Sequence, residues 1–381
     1  MKPDFDYNFK SLLTAPAKAL KVKKIFVCSV GLLAALAVYD ILVYLALLID
    51  GQSLTAVFND YCLFPFEIAG FSSIISVVLY YLGVFGAVVM IMLGMLAATS
   101  CDFEELRGNP FFSAYDSLKF TLSRSPQLLI SIFAVALFIM LIILLGILVG
   151  LVTRIPVAGD LLYALFFLFP NFIIAIFTVL IIFVFFVSFF IMPITVAADR
   201  NKESFNSILE SFLTITRHPF RWGLYTAFSL VAAKVCAFIY AFFSYKAIQL
   251  IWASTAVGGG EKIDRLMASG FAHLPLESEA VRFTTNLFPQ VYIGFDLTSL
   301  ADGGTESIAG YILAIMLFLI FVSIWGYMLS VVATSQAYSF AIIKFIRDGH
   351  KITDEDSLFY EEEWANPLID EENKTEEEIK E

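Results

Sequence analysis

Asp40 and Lys234 stand deep inside long apolar runs, where an ionisable side chain is costly and therefore informative. A charge at the centre of a membrane helix costs about 2.5–3.5 kcal/mol on insertion scales, which pairing or a wet cavity offsets. Asp40 follows Lys23 at the same spacing by which Lys234 follows Arg217. At about 1.5 Å per helical residue, each sits about 22 Å into its helix, past the midplane of a core about 30 Å thick. Counted in the same way from Arg124, the matching place holds Leu141. Two helices running the same way thus carry opposite charges at one depth, and the expectation is that Asp40 and Lys234 meet inside the bundle. Such a pair either lines a route for an ion, a proton or a polar substrate or fixes which helices pack together. A third reading has each side chain snorkel separately, as Lys246 does near the end of its run, close to Trp252.

The elements that carry these charges are read from hydropathy. The chain has 381 residues, 59% of them hydrophobic, and a mean hydropathy of +0.83. Soluble domains are about 45–50% apolar, so most of this chain needs a solvent other than water. Runs at 25–49, 127–152 and 220–253 exceed the roughly 20 residues that cross a hydrocarbon core. Their partner runs are 68–100, 171–198 and 307–345. The alternation of barrel strands is absent, which predicts an all-α polytopic membrane protein with six transmembrane helices.

Three copies of Leu-Phe-Pro, ending at Pro65, Pro170 and Pro289, each lie between two of these runs. Proline lacks an N–H and suits a helix start, so the tripeptide reads as punctuation where the chain turns back. Thr121–Pro126 matches Thr214–Pro219 at two run starts, and Ala98-Thr99-Ser100 matches Ala333-Thr334-Ser335 at two run ends. The predicted architecture is one helical hairpin used three times: 1–100, 101–198 and 199–353. Each hairpin is preceded by a cytoplasmic amphipathic helix, at 7–22, 111–123 and 203–216. In the last, Phe205, Ile208, Leu209, Phe212 and Ile215 form the expected apolar face. Such helices either lie among lipid headgroups or pack as elbows beneath the bundle.

Lys and Arg cluster before the first run, in the second and fourth connections and after Lys344, which places both termini in the cytoplasm. Ala35-Leu36-Ala37 resembles a cleavage site, but the basic region before the first run extends from Lys2 to Lys24 and the run continues to Ile49. A retained span is therefore expected. Residues 354–381 carry 13 acidic and 2 basic residues, the whole of the formal −11. This segment reads as a disordered acidic tail. Phe359, Tyr360, Trp364, Leu368 and Ile369 within it form a candidate docking segment for a protein partner. The extracytosolic loop 254–305 is the other candidate partner surface, with a cap over the bundle as its plain alternative.

Gly146 and Gly150 form a GxxxG in the third run, a spacing that lets helices approach closely. Cys28, Cys62, Cys101 and Cys236 show no paired spacing, and His218, His273 and His350 are scattered, so no metal site or cofactor is expected. Asp102, Glu104 and Glu105 read as an exposed acidic connection. Phosphate-cradling loops and nucleophile elbows are absent, which argues against an enzyme, and no concentrated basic face suggests nucleic acid.

Pro193–Asp199 (Pro-Ile-Thr-Val-Ala-Ala-Asp), followed by Ser207–Phe212 (Ser-Ile-Leu-Glu-Ser-Phe) and Arg217-His218-Pro219, resembles a pattern in the membrane-domain family associated with prokaryotic glycerophosphodiester phosphodiesterases and in related polytopic proteins. The resemblance directly covers only the stretch from Pro193 to Pro219, with no soluble phosphodiesterase domain and no catalytic residue carried over. It implies a six-helix domain of the bacterial inner membrane that works beside lipids or another protein. Two functions follow: a non-enzymatic accessory or scaffold subunit, or a transporter or lipid-handling protein that uses Asp40 and Lys234.

Overall fold

In the computed structural model every element among the described residues is helical. The structure describes residues 5–61, 65, 70–152, 154–155, 159, 161, 163–164, 168–274 and 305–357. Short helices α1 (Phe9–Leu13) and α2 (Ala15–Ala19) lead into α3 (Val22–Ile49) and α4 (Leu54–Tyr61). Then follow α5 (Ile74–Leu106), α6 (Ala114–Val152), α7 (Leu168–Ala198), α8 (Ser204–Arg217), α9 (Pro219–Gly259), α10 (Glu261–Ala272) and α11 (Thr305–Asp348), with a 3-10 turn at Ile352–Asp354.

Helices α3, α5, α6, α9 and α11 are long and apolar enough to cross a membrane. α7 makes a sixth if its two parts, Phe172–Ser188 and Phe190–Ala198, bent by 65°, form one span. Pro193 explains the bend: it offers no N–H to the Phe189 carbonyl four residues back, and its ring crowds that carbonyl. Pro126 lies inside α6 without ending it. The Leu122 carbonyl that Pro126 leaves open accepts instead from the Ser125 hydroxyl at 2.9 Å. The fold is that of a multi-spanning membrane protein.

The helix starts depart from the expected uniform pattern. Residues 203–216 do form a separate helix, α8. Residues 7–22 divide between α1, α2 and the start of α3, and 114–123 run unbroken into α6. Between Ala114 and the apolar run, the one residue that would ordinarily stop a helix is Pro126, and the Ser125 hydroxyl takes up the carbonyl it leaves open. Leu168-Phe169-Pro170 supplies the first turn of α7, as expected of proline at a helix start. Pro65 is buried, and its carbonyl accepts the Tyr39 hydroxyl at 2.6 Å. Leu287-Phe288-Pro289 lies outside the described residues.

The chain packs as two compact units built from discontinuous segments. One gathers residues 16–95 and 228–332. Here α3 and α5 cross at glycines: a Cβ at Gly31 would stand 2.7 Å from Gly94 Cα, and the Cys28 thiol lies 3.7 Å from the Gly94 carbonyl. Tyr327 donates to the Pro16 carbonyl and Ser330 to that of Ala19, at 3.2 and 2.9 Å, tying α11 to α2. Amphipathic α10 folds back so that Met267 and Phe271 pack with Leu317. The other unit gathers residues 1–15, 96–227 and 333–381. In it α6, α7 and α8 pack on one another, and it holds the candidate site.

Candidate functional site

The site begins where α5 ends. Gly108, at φ +92°, takes the left-handed conformation that stops a helix. The Asn109 N–H bonds the Glu104 carbonyl at 2.8 Å and the Gly108 N–H bonds that of Glu105 at 3.2 Å, the paired closure of a glycine-capped end. That closure turns the Asn109 side chain back onto Glu104. At the end of α11, Gly349 at φ +71° makes a similar turn, and the strap 349–357 returns across the α5 end. Ile352 anchors the strap by complete burial.

Arg107 joins the two. Its Nε and Nη2 donate to Glu355 Oε2 at 3.0 and 2.7 Å, and its Nη1 donates to Glu104 Oε1 at 3.2 Å. The side chains of Arg107, Glu104 and Glu355 are 1%, 4% and 7% exposed. Asn109 Nδ2 reaches Glu104 Oε2 and Ser357 Oγ, at 3.5 and 3.4 Å, and Ser357 donates its hydroxyl to Glu104. His350 Nε2 lies 2.7 Å from Glu355 Oε1, and Arg200 Nη1 stands 4.0 Å from Oε2. Burial alone raises the Glu355 pKa, but Arg107, the His350 hydrogen bond and Lys344 outweigh it and hold the carboxyl below its ordinary value of 4.5.

The N-terminal segment closes on the same strap. Tyr7 accepts the Thr353 N–H at 2.9 Å and donates to Thr353 Oγ1 at 3.1 Å. Its ring packs against Phe5 and Phe345. Burial pushes the Tyr7 phenol above its ordinary 10.0.

A second buried polar centre forms around Asp199, the residue that closes α7. Gln127 donates to Asp199 Oδ2 at 2.7 Å and to Ser207 Oγ at 2.9 Å. The Glu203 N–H reaches Asp199 Oδ2 at 2.8 Å, and Asn206 reaches Oδ1 at 2.6 Å. Arg124, fully buried, donates to Gln127 Oε1 at 3.3 Å and lies over the Phe120 ring. Thr195 and Ser211 share a hydrogen bond of 2.8 Å between α7 and α8. Asp102 accepts the Thr334 hydroxyl at 2.9 Å.

These groups bond one another across α5, α6, α7, α8 and the strap, as the members of a rigid joint do. No group of three or more His, Cys, Asp or Glu among the described residues could hold a metal ion.

The predicted residues are placed as follows. Asp40 is half-buried on α3 and Lys234 is exposed on α9. A Cβ at Gly146 or Gly150 would meet nothing within 4 Å. The close approach expected there occurs at Gly31 and Gly94, whose helices are pressed together. The expected exposed connection is corrected: Asp102 and Glu104 are buried, since Arg107, Asn109 and Thr334 satisfy them. The acidic tail is corrected at its root, because Glu355 and Ser357 are buried in the clasp. Phe359, Tyr360, Trp364, Leu368 and Ile369 lie outside the described residues. Arg107, Glu355, Gln127 and Asp199 were not singled out as a site by sequence. The available signal was Asp-x-Glu-Glu-x-Arg-Gly-Asn, directly beyond an apolar run.

No protein-family description, curated protein or solved structure matches the chain.

Proposed function

We propose that the protein is a non-enzymatic accessory or scaffold subunit of an assembly in the bacterial inner membrane. In this reading both termini are cytoplasmic, and three helical hairpins form the membrane body. The clasp is the observation that carries it: Arg107 and Asn109 fix the root of the acidic tail to a rigid helix end. A tail held at its root presents residues 358–381 to a partner from a defined place, and its acids and aromatics favour a basic, partly apolar docking surface. The orientation is supported by the distribution of Lys and Arg. Asp199, Ser207 and Ser211, which lie in the stretch that carries the resemblance to the phosphodiesterase-associated membrane domains, are held in the hydrogen-bonded joint.

Native mass spectrometry of the protein released from its own membrane tests the reading. A stoichiometric second polypeptide, lost when residues 358–381 are deleted, is expected. A retained small molecule with no protein partner overturns it in favour of transport or lipid handling.

A further inference from the structure

Helix α8 is amphipathic in the opposite sense to a water-facing helix. Ser207, Ser211 and Thr214, buried with the neighbouring Ile215, make the polar part of its packing face. On the 3.6-residue helical repeat these three fall within about 60° of one another. Hydrogen bonds seat this face: Ser207 accepts from Gln127 of α6, and Ser211 shares its bond with Thr195 of α7. The opposite face carries Phe205, Leu209 and Phe212, also within about 60°, and all three are exposed, Phe205 by 75%. Of the apolar residues expected to share one face, Ile215 is instead buried and Ile208 half-buried.

The helix has 14 residues, so it extends about 21 Å and is too short to cross a hydrocarbon core of about 30 Å. Its outward apolar stripe continues past the His218 bend into Phe220, 92% exposed, and Leu224. Arg217 and Arg221 are exposed at this same bend. The acid on α8 that could oppose them, Glu210, is engaged by Arg347 at 2.8 Å. Apolar side chains beside exposed guanidinium groups match the two layers of a leaflet: acyl chains for the rings, anionic headgroups for the arginines.

We infer that α8 is an interfacial helix embedded in one leaflet, with Phe205, Leu209 and Phe212 among acyl chains and Arg217 and Arg221 binding anionic phospholipid. Its serine face replaces the usual apolar underside because the surrounding solvent is lipid, so the inward contacts are made by small hydrogen-bonding residues. The inference is independent of the accessory-subunit reading.

Photocrosslinking of the full chain tests it, in vesicles of three parts phosphatidylcholine to one part phosphatidylglycerol. Benzoylphenylalanine replaces Phe205 in one variant and Phe212 in another, each first shown to unfold at the parent temperature. Substitution at Asn201, in the preceding turn, is the comparison. Phospholipid adducts are expected at both α8 positions, with phosphatidylglycerol enriched above its share of the bilayer. Combining either variant with Arg217→Gln and Arg221→Gln should return the adducts to the bilayer ratio. Crosslinks to a second copy or another protein, in place of lipid, overturn the inference, as does the absence of lipid adducts at both positions. Enrichment that survives removal of both arginines overturns the anionic-lipid assignment.

Discussion

Arg107 holds Glu355, 248 residues further along the chain, through two hydrogen bonds to one carboxylate oxygen, with both side chains almost wholly withdrawn from solvent. A guanidinium suits this task because its planar fork serves Glu355 and Glu104 at once, which an ammonium cannot reproduce. The contact converts the end of a membrane helix into the anchor for the C-terminal strap.

Removing one partner of that pair leaves a buried charge uncompensated. Arg107→Ala is expected to destabilise the protein by about 3–5 kcal/mol, whereas replacing Arg107 and Glu355 together by Met and Leu costs much less. Thermal unfolding of the single and double variants in detergent measures the coupling. Simple addition of the two single losses would show that the pair does not act as a unit.

Stability should also depend on acid. The folded pKa of Glu355 lies below 4.5, so the unfolded chain binds the proton more tightly. The pair's contribution is therefore complete above about pH 4.5 and is lost as the pH falls through the folded value. A melting series from neutral to acidic pH should show a decline for the parent that is shallower in Glu355→Gln. Parallel curves would contradict this assignment.

Asp199 accepts from Gln127, Asn206 and the Glu203 N–H. Asp199→Ala orphans these donors and is expected to cost about 1–3 kcal/mol for each left buried and unsatisfied. Asp199→Asn, which retains one acceptor, should cost less. Melting temperatures for both variants equal to the parent's would mean that the hub contributes little.

Glycines separate two kinds of helix surface. Gly31→Leu forces a side chain into the Gly94 backbone, and overpacking of this kind costs about 1–3 kcal/mol or more. Gly146→Leu enters open space and should leave the melting temperature unchanged. The opposite ranking in a thermal-unfolding assay would place the helix crossing at the wrong glycine.

Much of the helical architecture was legible because it depends on long, one-dimensional signals. The apolar runs located the spanning helices. The clasp was illegible for a physical reason: Arg107 and Glu355 meet only after the intervening chain has folded, and neither local sequence specifies its partner. Asp102 and Glu104 misled because acids after an apolar run usually meet water, whereas here Thr334, Arg107 and Asn109 take water's place. At α8 the apolar stripe was visible, but which face packed inward was not. The serines Ser207 and Ser211 decided it by finding partners on α6 and α7.

Hydrogen exchange across the strap tests the clasp most directly. The N–H groups of Thr353, Asp354 and Glu355 bond Tyr7, Lys351 and Ile352. Slow exchange at these three amides is predicted in the parent protein, with marked acceleration in Arg107→Ala while the α5 amides remain protected. Exchange at the rate of an unstructured chain in the parent would contradict the clasp, and with it the anchored tail.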